Sequence, residues 1–112
     1  MPCYNAEAFI LRGIRSALGQ TYKNIELIVI DDGSKDNSLQ LINGIHDEKI
    51  TVMSQTNRGV CAARNRGLSL ATGKYIAFLD ADDEWRPDCL EKLFSAIQST
   101  PEAVLAYCGW QN

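Results

Sequence analysis

The sequence predicts an α/β fold, a mainly parallel β-sheet with helices on both faces. Three observations lead there. Strand-like and helix-like apolar patterns alternate along the chain, as they do when parallel strands are joined by helical crossovers. The clearest strand pattern, Ile25-Glu26-Leu27-Ile28-Val29-Ile30, is a nearly continuous β-branched run rather than an alternating one, which suits burial on both faces. Two strand patterns then stop at acidic clusters, Asp31-Asp32-Gly33-Ser34 and Asp80-Ala81-Asp82-Asp83. In open sheets of this class, ligands bind beyond the carboxyl ends of the strands.

The elements follow in order. Leu11, Ile14 and Leu18 form one helical stripe, with Asn5 upstream as a candidate cap. The strand at 25–30 comes next. Ser34 or Asp36 then caps a helix carrying Leu39, Ile42 and Ile45. Ile50 to Met53 is a shorter strand. Val60, Ala63, Gly67 and Ala71 mark a third helix, with Gly73 as its carboxyl-terminal stop. Tyr75-Ile76-Ala77-Phe78-Leu79 reads as a strand. Leu90, Leu93, Phe94 and Ile97 form a fourth helical stripe, with Pro87 set for its first turn and Pro101 ending it. Val104 to Cys108 is the last candidate strand. The predicted order is α-β-α-β-α-β-α-β.

The totals restrict the function. The 112 residues suit one domain, and 46% apolar content is ordinary for a globular protein. No apolar run approaches the ~20 residues of a membrane-spanning helix, and no basic-then-apolar leader is visible. A net charge of -3 argues against a nucleic-acid partner. A mildly acidic chain that binds an anionic nucleotide needs local positive charge, from a metal ion or from helix amino termini. Cys3, Cys61, Cys89 and Cys108 are irregularly spaced without a CxxC pair, so reduced thiols acting as small apolar residues are expected.

Chemistry is concentrated in four places. Asp31-Asp32-Gly33-Ser34 has the residues of an ordinary strand-to-helix turn, and its position at a strand end gives it a second meaning. In Asp80-Ala81-Asp82-Asp83, three carboxylates in four residues repel one another unless a cation or solvent intervenes. Carboxylate oxygens are what Mg²⁺ or Mn²⁺ takes, and i, i+2 spacing on an extended segment would put Asp80 and Asp82 on one side. Arg58, Arg64 and Arg66 supply three cations in nine residues. Arg64 lies near the apolar stripe of its helix, which favours pairing with an acid cluster or a phosphate. Tyr4 in Pro2-Cys3-Tyr4-Asn5 could stack on a base, although taken alone it reads as a loop tyrosine.

Six segments in order resemble glycosyltransferase family 2, the inverting family with the Rossmann-like GT-A fold. They are Pro2-Cys3-Tyr4-Asn5-Ala6-Glu7, Gln20-Thr21-Tyr22, Asp31-Asp32-Gly33-Ser34, Asn57-Arg58-Gly59-Val60, Ala63-Arg64-Asn65-Arg66-Gly67 and Phe78-Leu79-Asp80-Ala81-Asp82-Asp83. Residues 1–112 would then be a partial domain, the GT-A half that binds a nucleotide-sugar donor. The resemblance implies roles residue by residue. Tyr4 packs near the base, and Asp32 accepts a hydrogen bond from it, typically from N3–H of uracil. Arg64 and the Gly59-Val60 backbone border the nucleotide. Asp80 sits by the ribose and the metal, and Asp82 of the Asp-x-Asp motif ligates the Mg²⁺ or Mn²⁺ bridging the diphosphate. The implied partners are a UDP-sugar donor and a carbohydrate or lipid-linked acceptor, in polysaccharide or glycolipid synthesis. The implied location is cytoplasmic, membrane-peripheral in the full-length protein.

Two departures from the family pattern are expected to matter. The family's first strand runs into Pro-x-Tyr-Asn, and here Met1 directly precedes Pro2, so a rearranged sheet or another chain, a second copy included, is expected to fill the gap. No residue can be assigned as the base that deprotonates the acceptor; the one histidine, His46, follows a predicted helix and reads as a surface residue. Donor binding with little transfer by these residues alone is therefore expected. A receiver-like signalling domain would need a lysine ending a later strand, and none follows Val104-Leu105-Ala106-Tyr107. A nucleotidyltransferase would need a Gly-rich, lysine-containing loop in place of residues 2–10. A truncated, catalytically inactive nucleotide-binding module fits the same residues as the enzyme.

Overall fold

In a computed structural model, residues 1–109 are described. Their order is β1 (Pro2–Cys3), α1 (Ile10–Leu18), β2 (Leu27–Asp31), α2 (Ser38–Asn43), β3 (Ile50–Ser54), α3 (Val60–Leu70) and α4 (Cys89–Ser99). The three strands form one parallel sheet in the order β1-β2-β3. Leu27 pairs with Ile50 and Asp31 with Ser54 across β2 and β3, while Pro2 and Cys3 pair with Ile30 and Asp31.

Alternation along β2 explains both faces of the sheet. Leu27, Val29 and Asp31 point one way, Ile28, Ile30 and Asp32 the other. Leu27 and Val29 join a buried cluster with Ile10, Ile14 and Ala17 of α1 and Ile42 of α2. Ile30 faces α3, where its Cγ1 lies 3.7 Å from the place a Cβ on Gly67 would occupy. The two adjacent aspartates at the end of β2 are thereby sent to opposite faces.

The first strand is reduced rather than absent. Only two of its residues pair, and the Met1 ammonium prolongs the ladder by donating to the Ile28 carbonyl at 2.8 Å, while the Met1 carbonyl accepts from Ile30 N–H at 3.0 Å. The expectation that a rearranged sheet or another chain fills this slot is not met, because residues 1–3 fill it from within the chain by parallel pairing, and the structure corrects two further assignments. Residues 75–79 and 104–108 are not strands. An apolar run becomes a strand only against a neighbour's free N–H and C=O groups. β1 offers two residues, and its Pro2 has no N–H to give. Tyr75, Ile76 and Phe78 consequently stay 44–52% exposed, and Val104 is 98% exposed.

The caps also differ from expectation. Asn5 does not cap α1, whose first turn follows Phe9 with no side-chain cap. Asn5 instead adopts a left-handed φ of 48°, a conformation asparagine tolerates, and its Oδ1 accepts from Lys35 N–H at 2.8 Å. Neither Ser34 nor Asp36 is the cap of α2, whose N-cap position is Asn37 with no side-chain cap bond; Asp36, one residue upstream, accepts from Ser38 N–H at 2.9 Å. Helix α3 ends at Leu70, short of Gly73, whose N–H is taken by Glu26. Pro87 precedes α4 by two residues, and α4 stops before Pro101.

Candidate functional site

The sheet delivers Tyr4 just past β1 and Asp32 just past β2 to the same edge, where the amino end of α3 and the 80–83 turn complete a cleft of about 530 Å³. Tyr4, Asp32, Gly59, Asp80 and Asp82 all line it. Arg64 joins from α3 through an ion pair, its Nη2 donating to Asp80 Oδ1 at 2.7 Å. Of the two kinds of partner open to Arg64, the structure supplies the acid. A larger, more open groove of about 820 Å³ between α1 and α2 contains none of these residues. Volume alone would favour that groove; convergent polar groups favour the smaller cleft.

Asp32 is 3% exposed and accepts three hydrogen bonds from one loop. Its Oδ1 accepts from Gln55 Nε2 at 2.7 Å and Arg58 N–H at 2.9 Å, and its Oδ2 accepts from Gly59 N–H at 2.8 Å. Burial pushes its pKa up, but the Gln55 amide and the two backbone amides outweigh burial and hold it below the usual carboxylate value. The carboxylate thus ties the 55–59 loop to the end of β2 beside the positive end of α3. Two glycines make this path feasible. Gly33 has φ +73°, and a Cβ there would stand 2.8 Å from Asn57 N. Gly59 has φ 89° and ψ 162°, a region reserved for glycine, and from it the chain enters α3.

The second acidic cluster is a turn rather than an extended segment. Asp83 N–H donates to Asp80 C=O at 3.1 Å. Asp80 and Asp82 therefore reach the cleft by the turn's curvature, not by strand alternation as the spacing suggested. The Asp83 pKa is raised by its own burial and by the charges of Asp82 and Asp80, a sign that the three carboxylates feel one another. Asp80 is partly offset by Arg64, and Asp82 is exposed at the rim. Among the described residues, no three His, Cys, Asp or Glu side chains converge on one point as a metal cage. One or two carboxylates do suit Mg²⁺ or Mn²⁺ when phosphate oxygens complete the shell, so the residues fit a shared cation and not an all-protein one.

Several supporting residues have no role assigned from the sequence, although Asn57 and Gln20 lie in segments that carry the resemblance. Gln55 and Asn57 matter because of where the loop turns. Gly13 of α1 lies against the acidic turn, where a Cβ would meet Asp83 O at 3.1 Å and Ala81 O at 3.3 Å. Gln20, fully buried, donates to Ser16 O at 3.0 Å and Arg86 O at 2.7 Å and accepts from Leu90 N–H at 2.9 Å, which fastens the end of α1 to the start of α4. His46 is exposed and stands outside the cleft, as expected.

Comparisons with known proteins agree with this arrangement. Residues 1–110 match the model of Glycosyl transferase family 2. An uncharacterized glycosyltransferase of Haemophilus influenzae is 54% identical over 95 residues, covering 82% of this chain and 38% of that protein. The Escherichia coli UDP-Glc:alpha-D-GlcNAc-diphosphoundecaprenol beta-1,3-glucosyltransferase WfaP is 47% identical over 83 residues, covering 73% of this chain and 33% of that protein. The chain thus spans little more than a third of these relatives' lengths. The crystal structure of S. aureus TarS 1-349 in complex with UDP superposes with a TM-score of 0.80 at 29% identity, covering 88% of this chain and 30% of that one; the complex with UDP-GlcNAc gives 0.81. A Rossmann-like parallel sheet, six ordered motifs and a family match over nearly every residue place this chain in glycosyltransferase family 2.

Proposed function

We propose that residues 1–112 form the donor-binding portion of an inverting glycosyltransferase that takes a UDP-sugar. The supporting observation is the single cleft that gathers Tyr4, Asp32, Gly59, Asp80 and Asp82. In this reading the uracil lies between Tyr4 and the 55–59 loop. Asp32 offers its remaining lone pair to the base while its other bonds keep the loop in place. The open amino end of α3 faces the diphosphate. Asp80 serves the ribose and, with Asp82, a Mg²⁺ or Mn²⁺ ion shared with the phosphates. When bound, that ion neutralises charge on the departing diphosphate as a Lewis acid. Arg64 holds Asp80 until the donor arrives and keeps a second positive charge near the leaving group. The TarS structures in complex with UDP and UDP-GlcNAc, and the UDP-Glc in the name of WfaP, support the choice of uridine.

Transfer also needs a base that removes the acceptor's hydroxyl proton. We place none in this cleft, because its carboxylates are all committed to the donor side. The acceptor, carbohydrate or lipid-linked, and the cytoplasmic, membrane-peripheral setting belong to the same proposal. No helix among the described residues is long and apolar enough to cross a membrane.

Calorimetry with UDP and Mn²⁺ tests the reading. Metal-dependent binding that weakens at least ~10-fold in Asp82→Ala is expected, the cost of about 1.4 kcal/mol of lost interaction. UDP binding that ignores both Mn²⁺ and this substitution would refute the site. Efficient sugar transfer by the 112 residues alone would overturn the assignment of a donor portion lacking its base.

A further inference from the structure

The cysteines are not all isolated. Cys89 Sγ and Cys108 Sγ lie 3.9 Å apart, in contact across the length of α4. Cys89 is 9% exposed at the first position of α4, and Cys108 is exposed. Their surroundings make the contact specific. The start of α4 is held rigidly by Gln20, which bonds both Arg86 O and Leu90 N–H. The segment that brings Cys108 back is largely exposed among the described residues. Val104, Leu105 and Tyr107 are 74–98% exposed, and beyond the Ala103 N–H to Thr100 C=O bond its described hydrogen bonding is the thiol contact itself.

We propose that Cys89 and Cys108 form a reversible dithiol–disulfide site, oxidised by a small-molecule disulfide such as glutathione disulfide. Exposure sets the order of events. The Cys108 thiolate attacks one sulfur of the small disulfide and expels one small thiolate, leaving a mixed disulfide on Cys108. Cys89 then loses its proton to that thiolate and attacks Cys108 Sγ. The protein S–S bond forms, the mixed S–S bond breaks, and a second small thiolate departs, taking up from solvent the proton that Cys108 gave up on ionising. Two protein thiols are oxidised and one small disulfide is reduced, so electrons and protons balance. Burial, followed by the hydrogen bond and charge of Cys108, pushes the Cys89 thiol up to about 11, which suits a resolving thiol rather than an attacking one. Cys61 is exposed without a described cysteine beside it and Cys3 is buried, so neither completes such a pair. The bond would anchor residues 100–108 to the helix that follows the acidic turn, giving the segment two states, tethered and free. A pair with one exposed sulfur, Cys108, is open to exchange, the property of a switch rather than of a structural staple.

The test treats the whole chain with glutathione disulfide, quenches it with an alkylating agent and maps the peptides by mass. The expected product is an intramolecular Cys89–Cys108 link, independent of protein concentration and reversed by reduced glutathione, with Cys61 carrying only a glutathione adduct. Cys89→Ser should convert the link into a stable glutathione adduct on Cys108, and Cys108→Ser should leave Cys89 unmodified. Should the Cys89 variant fail to fold, the exposed Cys108 variant decides alone. A glutathione adduct that persists on Cys108 of the unsubstituted chain, or a link that forms only between chains, would overturn the proposal. Neither result depends on nucleotide binding, so the donor-site reading stands or falls separately.

Discussion

Asp32 and Asp31 are neighbours in sequence with different surroundings. Asp31 turns under the sheet, where its Oδ2 accepts from Ser34 N–H at 3.3 Å and Ser54 Oγ at 3.2 Å, and its Oδ1 is buried with no partner among the described atoms. Asp32 turns toward α3 and takes three donors. Because its folded pKa lies below the unfolded value, Asp32 stabilises the fold above the ordinary aspartate pKa of about 4, and this contribution is lost as pH falls through the lower folded value. Asp32→Asn should therefore be less stable at neutral pH by about 1–3 kcal/mol, since its amide cannot accept from all three donors. Urea midpoints measured at descending pH should bring the variant and the original chain together below pH ~4. A gap that stayed constant with pH would mean that the carboxylate's charge does not hold the loop. The sequence marked Asp32 as chemically interesting because acids collect at strand ends. It could not show that three donors from residues 55–59 already occupy it, because that depends on the path of a distant loop.

Elements were legible where a local period decides them. The 3.6-residue stripes of α1 and α4 and the β-branched run of β2 declare themselves whatever surrounds them. The apolar run at 75–79 is as strand-like in pattern as β2 and has no ladder, because pairing is a property of two segments and only one is visible in a local pattern. Gln20 shows the reverse case, a polar residue that the family resemblance marks without a stated role and whose structural role is joining two helices. Gln20→Leu should leave the Leu90 N–H without its acceptor and take one of its donors from the Arg86 carbonyl, which keeps Cys89 N–H, at a cost of about 1–3 kcal/mol. Thermal unfolding measures the total loss. Amide exchange should localise it, with residues 89–92 exchanging faster while β2 keeps its protection. Uniform acceleration across both elements would show that Gln20 supports the fold at large and not the α1–α4 junction.

At the scale of the molecule, the sheet has an unfinished side. The short β1 ends the ladder, and Tyr75, Ile76 and Phe78 of the unpaired 75–79 run stay about half-exposed. Exposed strand-like runs recruit partners, and a second copy of the same run is the simplest one. Sedimentation should show concentration-dependent self-association of the 112-residue chain, weakened by Phe78→Lys; a monomer at all concentrations would remove the second-copy reading. The opposite side of the cleft is determinate, and Gly13 is the reason. Where α1 meets the acidic turn, main chain rests on main chain, with Asp83 O 3.1 Å and Ala81 O 3.3 Å from the absent Cβ. A side-chain contact would let that spacing vary with every rotamer flip on the nanosecond scale. With only a hydrogen in between, helix α1 acts as a fixed gauge block, and the height of the carboxylate-bearing turn is set by atomic radii alone.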